Sequence, residues 1–295
     1  MRKAIIDIGT NTFNLLIGTV VGNKIQVEFT TKEAVLLGMG GINEGTIAPD
    51  AMQRAMETLS RFKEKCDEFQ VDSVIGFGTS AMRASSNALK LVNLAKKKLG
   101  IDIRIISGME EANLIYHGVS LLHYFEEPEM IMDIGGGSIE YIHADASGVL
   151  KSGSFDIGVS RIYQQLGAPE KFTQEIREEI DAFLEKEAGS FFENVQVDMM
   201  IGASGSFETF FEMINSEEFI SHDEMVEIPL DKLNHWIEWS LSSTLEERLA
   251  NDWIIPMRKK MLPTAAYTIY WTMKKLGTKR VIISPYSLKE GAFLL

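Results

Sequence analysis

One shift of 126 positions brings two separated glycine loops of this chain onto two others. The shift superimposes "DIGTNTF" on "DIGGGSI", so that Asp7 falls on Asp133. The same shift places Gly76 of "VIGFGTSA" on Gly202 of "MIGASGSF". A single offset that matches two distant loops indicates an internal repeat, and it predicts a chain built from two related halves.

Each half begins with three strand patterns separated by turn signals. In the first half these are "KAIIDIG", "FNLLIGTVV" and "KIQVEFT", with turns at Gly9 and at Gly22-Asn23. In the second half they are "MIMDIG", "IEYIHA" and "VLKSGSF", with a turn at Gly148. Helix and strand patterns then alternate, which predicts an α/β fold with mixed sheets flanked by helices. We therefore expect two domains, residues 1–125 and 126–295, with a cleft between them where a ligand would bind.

Helices are predicted where apolar residues recur at three- and four-residue steps. One such stripe contains Met52, Met56, Leu59, Phe62, Cys66 and Phe69. Cys66 is therefore interpreted as a core residue rather than a nucleophile. Further helices are predicted at 87–99, about 110–124 and 262–276, and helical insertions at about 158–195 and 215–260 lengthen the second half.

Charge and composition restrict the partners. The 295 residues carry a net charge of −13, which argues against general binding to nucleic acid. We find no apolar run long enough to span a bilayer, and Asp7 interrupts the first apolar run, so no membrane partner and no signal peptide are expected. Cys66 is the single cysteine, which is compatible with a cytoplasmic location.

The four glycine loops have the composition of anion-binding loops. "DIGTNTF" and "DIGGGSIE" each join two strands and can point backbone N–H groups at a phosphate, whereas "GFGTSAMR" and "GASGSFE" each lead from a strand into a helix. Arg83 follows the third loop and can contact a phosphate with its guanidinium group. Any one loop can be an ordinary turn, but two matching pairs favour phosphate binding.

Acidic residues accompany these loops. Phosphoryl transfer needs charge neutralisation, usually by Mg²⁺, and a group that positions the nucleophile. Asp7, Asp133 and Glu140 lie on or beside the hairpins. Glu110 and Glu111 open a predicted helix. On the local sequence alone, acidic residues at this position more often interact favourably with the helix dipole than take part in catalysis.

Other chemistries are disfavoured by the motifs. The five histidines, at 117, 123, 143, 222 and 235, have no zinc-ligand spacing. We find no GxxxxGK[ST] phosphate loop, "GGGS" is not the GxGxxG of a dinucleotide site, and "GASGS" does not fit the GxSxG elbow of serine hydrolases.

Six segments in the same order carry a family resemblance. They are "DIGTNTFNLLI", "GTSAMRASSNA", "IISGMEEANLIYHGV", "MDIGGGSIE", "IGASGS" and "SLKEG". Together they resemble the exopolyphosphatase/guanosine pentaphosphate phosphatase (Ppx/GppA) family, in its short form, of the actin/sugar kinase/Hsp70 superfamily. The resemblance implies two actin-like (ribonuclease H-like) domains and hydrolysis of a terminal phosphoanhydride that depends on Mg²⁺ or another divalent cation.

The resemblance also implies roles for individual residues. Glu111 matches the family's water-activating glutamate, and Asp7, Asp133 and Glu140 match its acidic positions near the metal. The positions that match phosphate-binding loops are Thr10, Asn11, Thr12, Arg83, Gly135, Gly136, Gly137, Ser138, Gly202, Ser204 and Gly205.

The expected substrate is inorganic polyphosphate, with guanosine pentaphosphate (pppGpp) as the alternative and a non-hydrolysing polyphosphate or nucleotide sensor as a third reading. A homodimer is a possible assembly.

The chain departs from the family late in its sequence, where "MRKKMLPTA" replaces an arginine-alanine-aspartate run and Lys289 stands where an arginine is usual.

Overall fold

The structure is a computed structural model that describes residues 1–22, 24–220 and 223–295. Its contacts divide the chain into two compact units. The first unit comprises Met1–Leu121, Gly135–Gly137 and Tyr286–Leu295, and the second comprises Leu122–Ile134 and Ser138–Pro285. Asn23 of the predicted turn and His222 lie outside the described residues.

The first unit is a five-stranded mixed sheet with helices. Its elements are β1 (Arg2–Ile8), β2 (Thr12–Val21), β3 (Lys24–Ala34), α1 (Pro49–Glu68), β4 (Ser73–Gly78), α2 (Ser80–Ala84), α3 (Ala88–Leu99), β5 (Asp102–Ile105), α4 (Gly108–Ser120) and the C-terminal α11 (Leu288–Phe293). The strand order is β3-β2-β1-β4-β5, with the three N-terminal strands antiparallel and β4 and β5 parallel to β1.

The second unit contains a six-stranded mixed sheet. Its elements are β6 (Glu129–Ile134), β7 (Ile139–Asp145), β8 (Gly148–Phe155), α5 (Val159–Gln165), α6 (Gln174–Ala188), β9 (Met199–Gly202), α7 (Gly205–Asn215), β10 (Val226–Ile228), α8 (Leu230–Ser242), α9 (Leu245–Ala250), α10 (Leu262–Leu276) and β11 (Arg280–Ile283). Its order is β10-β11-β9-β6-β7-β8.

The two sheets confirm the internal repeat. Read from β8, the second sheet runs β8-β7-β6-β9-β11, which is the order β3-β2-β1-β4-β5 of the first sheet with one added edge strand, β10. The predicted α/β class with mixed sheets flanked by helices is therefore confirmed. The predicted insertions correspond to α5 and α6 in one segment and to β10, α8 and α9 in the other; β10 itself was not predicted.

Each unit has its own apolar core. The stripe of α1 packs into the core of the first unit, where Cys66 is 1% exposed. Burial raises the pKa of the Cys66 thiol to about 11, so the thiol stays protonated at neutral pH. The prediction that Cys66 is a core residue is confirmed. Among the helices of the described residues, none combines the length and apolar character needed to cross a bilayer.

The C-terminal segment joins the first unit, whereas the sequence predicted one boundary between residues 125 and 126. Tyr286–Leu295 joins it because α11, which the sequence did not predict, packs against α4, β1 and β2. The α4–α11 contact is made by two glycines: a Cβ atom on Gly118 would lie 1.9 Å from the carbonyl oxygen of Ser287, and one on Gly291 would lie 1.9 Å from that of Leu114. The two helix backbones therefore touch directly.

We expect Gly291→Ala to destabilise the first unit by about 3 kcal/mol, because the added methyl group collides with a backbone oxygen that cannot rotate away. Urea unfolding would measure the change. Leu294→Ala is the matched control in the same segment: Leu294 is exposed, so its truncation should change the free energy of unfolding by about 0.5 kcal/mol or less. Equal effects of the two changes would contradict the close helix contact.

Candidate active site

The loop between β1 and β2 is fixed by backbone hydrogen bonds. The N–H of Gly9 donates to the carbonyl of Thr12 at 3.0 Å. The carbonyl of Asn11 accepts from the N–H groups of Val35 and Leu36, each at 2.9 Å. These bonds occupy the loop's carbonyl groups and hold "GTNT" in one conformation.

The structure brings this loop together with the glycine turn between β6 and β7. A Cβ atom on Gly136 would lie 2.7 Å from the side-chain nitrogen of Asn11. A Cβ atom on Gly137 would lie 2.6 Å from Thr10 Oγ1. A side chain at either position would therefore displace side chains of the first loop. Two of the loops that the sequence predicted to bind phosphate are therefore neighbours within the first unit.

Asp7 lies on β1 directly opposite Asn14 of β2. The side-chain amide of Asn14 donates to Asp7 Oδ2 at 2.8 Å. Burial raises the pKa of Asp7 to about 6, against the lowering effects of the Asn14 hydrogen bond and of Lys289; Glu290 adds a smaller raising effect. Although part of the residue is exposed, its carboxylate is poorly solvated and is held in one orientation.

The corresponding position of the second unit has two carboxylates. Asp133 of β6 lies directly opposite Glu140 of β7, so both side chains project from the same face of the sheet. Glu140 is 1% exposed, and its Oε1 accepts hydrogen bonds from Ser138 Oγ at 2.7 Å and Ser154 Oγ at 2.6 Å. These bonds orient the buried carboxylate and satisfy one of its oxygens, as buried polar groups require.

Two adjacent carboxylates suit Mg²⁺, which usually binds through one or two carboxylates together with water and substrate phosphate. Within the described ranges, no group of three or more His, Cys, Asp or Glu side chains is arranged to hold a metal ion. The two carboxylates of Asp133 and Glu140 have the donor chemistry for such a cation, and their role as metal ligands stays a prediction. Asp7 belongs to the first unit, and its role as a metal ligand stays a prediction.

Arg83 and Glu111 form an ion pair in the first unit. Arg83 Nη1 lies 2.5 Å from Glu111 Oε2 and also donates to the carbonyl of Ile106 at 3.2 Å. Glu111 is 7% exposed. The sequence predicted two separate roles, in which Arg83 contacts a phosphate and Glu111 activates the attacking water. The structure shows that the guanidinium group holds the carboxylate, so Arg83 positions Glu111 whatever else it contacts.

The adjacent glutamates at the start of α4 have different roles. Ser107 Oγ accepts from the N–H of Glu110 at 3.2 Å, and Glu110 Oε2 accepts from the N–H of Ser107 at 2.7 Å. This capping box accounts for a glutamate at position 110. The hydrogen bond from the backbone N–H of Ser107 is the main cause of the lowered pKa of Glu110. Glu111 does not take part in the cap; it lies buried beside Arg83. The helix-terminus interpretation therefore holds for Glu110 alone.

The loop that leads into α7 contains three of the predicted phosphate-binding residues, Gly202, Ser204 and Gly205. A Cβ atom on Gly202 would lie 2.2 Å from the ring of Phe207, so packing of this aromatic residue by itself requires glycine. Ser204 Oγ accepts from the N–H of Ile134 at 3.3 Å and ties the loop to the end of β6. Phosphate binding by this loop stays a prediction.

The late segment that departs from the family also contacts α7. Arg258 Nη1 donates to Thr209 Oγ1 at 2.6 Å, and its Nη2 lies 4.0 Å from Glu208. Burial lowers the pKa of the Arg258 guanidinium. Arg258 therefore stabilises the first turns of α7.

The sequence analysis missed Asn14 and Ser154, which hold Asp7 and Glu140. For Asn14 the repeat contained a signal, because the 126-residue shift places Asn14 on Glu140. Ser154 lies opposite Glu140 in the β7–β8 register. The repeat has no such signal for Ser154, because the same shift places Ser154 on Glu28.

The raised pKa of Asp7 predicts how stability depends on pH. With a pKa near 6 in the folded chain and an ordinary value of 3.8, the ionised carboxylate opposes folding. Stability of the metal-free protein should therefore be highest below about pH 4 for this group, fall as the pH rises through about 6, and change little above it. Asp7→Asn removes that loss and should raise the free energy of unfolding at about pH 8 by roughly 2 kcal/mol.

Urea unfolding in the presence of a chelator, at low and at neutral pH, measures this difference. A second series with Mg²⁺ is informative because a bound cation would stabilise the Asp7 carboxylate. An Asp7→Asn protein that is less stable than the parent at neutral pH without metal would contradict the destabilising charge.

Comparisons with known proteins identify the family of the chain. The sequence model of the Ppx/GppA phosphatase family matches residues 16–294. The guanosine-5'-triphosphate,3'-diphosphate pyrophosphatase of Aeromonas hydrophila is 25% identical over 292 residues, which are 98% of this chain and 58% of that protein. The chain thus spans little more than half the length of this relative.

Solved structures extend the similarity to the fold. An exopolyphosphatase from Cytophaga hutchinsonii is 33% identical with a TM-score of 0.94, over 100% of this chain and 97% of that one. A PPX-GPPA enzyme from Aquifex aeolicus is 23% identical with a TM-score of 0.82, over 100% and 99%. Since the family model matches nearly the whole sequence, the chain belongs to the Ppx/GppA phosphatase family.

Proposed function

We propose that this protein is a Mg²⁺-dependent exopolyphosphatase, which hydrolyses the terminal phosphoanhydride of inorganic polyphosphate and releases orthophosphate. One observation carries the proposal: Glu111, a buried carboxylate in the first turns of α4, is held by Arg83 beside the strand-to-helix loop that begins after β4. A buried carboxylate fixed in this way is suited to orient a water molecule. Membership of the family and the likeness to an exopolyphosphatase support the choice of substrate.

Neutral donors account for phosphate binding by an acidic chain. In this proposal the adjoining loops around Thr10, Asn11 and Gly136 supply backbone N–H groups and short polar side chains to the phosphate, and they add no negative charge to the site. Backbone donors of this kind bind phosphate oxygens without requiring a positive surface.

The chemical step follows from these parts. Glu111 accepts a hydrogen bond from water and directs its oxygen at the terminal phosphorus, in line with the bridging oxygen. The new P–O bond forms as the bridging P–O bond breaks, the shortened polyphosphate leaves with the bond's electron pair, and the water proton passes through Glu111 to solvent. Because the transition state of phosphoryl transfer is loose, orientation of water matters more than the strength of the base. The ion pair with Arg83 supplies that orientation.

Asp133 and Glu140 would hold the divalent cation. When bound, the cation neutralises charge on the phosphate oxygens. Ser138 and Ser154 keep the Glu140 carboxylate in the required orientation through their hydroxyl groups.

Hydrolysis of guanosine pentaphosphate is the second candidate function. The similarity to the Aeromonas hydrophila pyrophosphatase favours it, and the same Glu111, Arg83 and loops would serve. A sensor that binds without turnover is the remaining reading, but the retained Arg83–Glu111 pair argues for catalysis. The cytoplasmic location and a homodimer stay predictions.

Glu111→Gln should lower the rate of phosphate release by roughly two to four orders of magnitude, because glutamine cannot accept the water proton. Polyphosphate binding, measured by thermal shift, should be retained. The matched control is Glu110→Gln, which changes the neighbouring residue of the same helix turn. Its activity should stay within about threefold of the parent and its stability should change little, because glutamine at this position can also accept the N–H of Ser107. Equal activity of the two variants would contradict the role of Glu111.

A phosphate-release assay over short polyphosphate, long polyphosphate and guanosine pentaphosphate would decide the substrate. We expect the highest kcat/KM for polyphosphate, and loss of release on treatment with EDTA with recovery on adding Mg²⁺. A higher kcat/KM for the nucleotide would favour the second candidate, and saturable binding without release would favour the sensor. Release that persists unchanged in EDTA would contradict the metal requirement.

A further inference from the structure

The hydroxyl of Ser80 is a buried polar group that the fold leaves unused. Ser80 is the first residue of α2 and is 3% exposed. Its Oγ makes no hydrogen bond to any residue in the described part of the chain. A buried hydroxyl without a partner destabilises the folded state, and such groups are rare in native proteins. Its presence therefore needs an explanation other than stability.

Neighbouring hydroxyl groups do not show this pattern. Thr79 Oγ1 donates to the carbonyl of Ile8 at 3.2 Å. Ser85 Oγ donates to the carbonyl of Ala81 at 2.7 Å. Both are buried, and both satisfy their polar groups with nearby backbone. The segment can thus provide partners for hydroxyl groups, and Ser80 differs from its neighbours.

The surroundings of Ser80 Oγ contain two residues predicted to bind phosphate. A Cβ atom placed on Gly137 would lie 2.6 Å from Ser80 Oγ and 2.6 Å from Thr10 Oγ1. The two hydroxyl groups therefore flank the same small space, the one that a side chain at Gly137 would fill. Two loops and one helix, far apart in sequence, contribute to this arrangement of polar groups.

We propose that Ser80 Oγ–H donates a hydrogen bond to a non-bridging oxygen of the bound phosphate chain, beside Thr10 and the glycine turn. This inference rests on the proposed function and adds a phosphate-binding residue to it. A phosphate oxygen is a strong, charged acceptor that would satisfy the unused donor. The turn of Gly135–Gly137 carries no side chains, so its backbone offers little steric hindrance to a phosphate oxygen beside the two hydroxyl groups. Ile42 Cδ1 also borders the space, 2.9 Å from the position of a Cβ atom on Gly137.

Ser80 suits the site chemically because its hydroxyl is neutral. It adds a directed donor without changing the local charge, as do the backbone N–H groups of the adjoining loops. The bond to phosphate forms with substrate present, whereas the free protein carries the cost of the unpartnered group. Removal of the hydroxyl should therefore weaken ligand binding without destabilising the free protein.

Ser80→Ala tests this combination. In the absence of ligand, its melting temperature should equal or exceed that of the parent. In the non-hydrolysing Glu111→Gln background, the polyphosphate concentration that gives half of the maximal thermal shift should rise by about tenfold, the usual effect of losing one hydrogen bond to a charged group. In the hydrolysing protein, KM for polyphosphate should rise by more than kcat falls.

Ser85→Ala is the matched control, because it deletes a buried hydroxyl whose hydrogen bond lies within the fold. Its melting temperature should fall, while the half-maximal polyphosphate concentration should not change. A Ser80→Ala protein that binds polyphosphate like the parent, or one that loses melting temperature as Ser85→Ala does with unchanged binding, would overturn the proposal.

The proposal and the proposed function fail in different ways. A parent protein that binds polyphosphate but releases no phosphate would refute the hydrolytic function, and the thermal-shift titration would still decide the role of Ser80. Absence of any polyphosphate-dependent shift in the parent and in the Glu111→Gln protein would refute both.

Discussion

The direct backbone contact between α4 and α11 determines how the first unit is assembled. Gly118 and Gly291 allow the two helices to touch, each beneath a carbonyl oxygen of the other segment. One of these helices carries Glu111, and the other carries Lys289, whose charge lowers the pKa of Asp7 against the effect of burial. A segment from the C-terminus thus becomes part of the surroundings of an N-terminal carboxylate. The helix that carries Glu111 is therefore held by a contact that tolerates no side chain.

The repeat shows how one hairpin can serve two purposes. In both units an aspartate near the end of one strand lies opposite a polar residue of the next, Asn14 in the first unit and Glu140 in the second. An amide opposite Asp7 orients a single carboxylate and adds no charge. A glutamate opposite Asp133 doubles the negative charge, which suits a cation. The same backbone register therefore places an uncharged amide opposite the aspartate of one unit and a second carboxylate opposite the aspartate of the other.

Patterns within short stretches of the sequence predicted those structural features that depend on such stretches alone. The strands, the helix stripe that contains Cys66, the repeat and the loops were all visible as periodicity or glycine placement. The Arg83–Glu111 pair was not, because it depends on how α2 and α4 pack, and no spacing along the chain encodes that distance. Helix α11 was missed because six residues are too few for a periodic signal. Gly202 had an expected role in phosphate binding, yet the ring of Phe207 accounts for it through packing alone.

Departures from local consistency identify the functional region more sharply than the motifs do. A fold selected for stability alone would neither bury the Asp7 carboxylate with a pKa near 6 nor leave the Ser80 hydroxyl without a partner. Both features lie in the first unit, close to the loops that contact Gly136 and Gly137 or on the strand that leads into them. Each would be relieved by a partner of the complementary kind, a cation for the carboxylate and a phosphate oxygen for the hydroxyl. On the proposed function, a metal–phosphate complex would supply both partners, so that the site would be complete only when substrate binds.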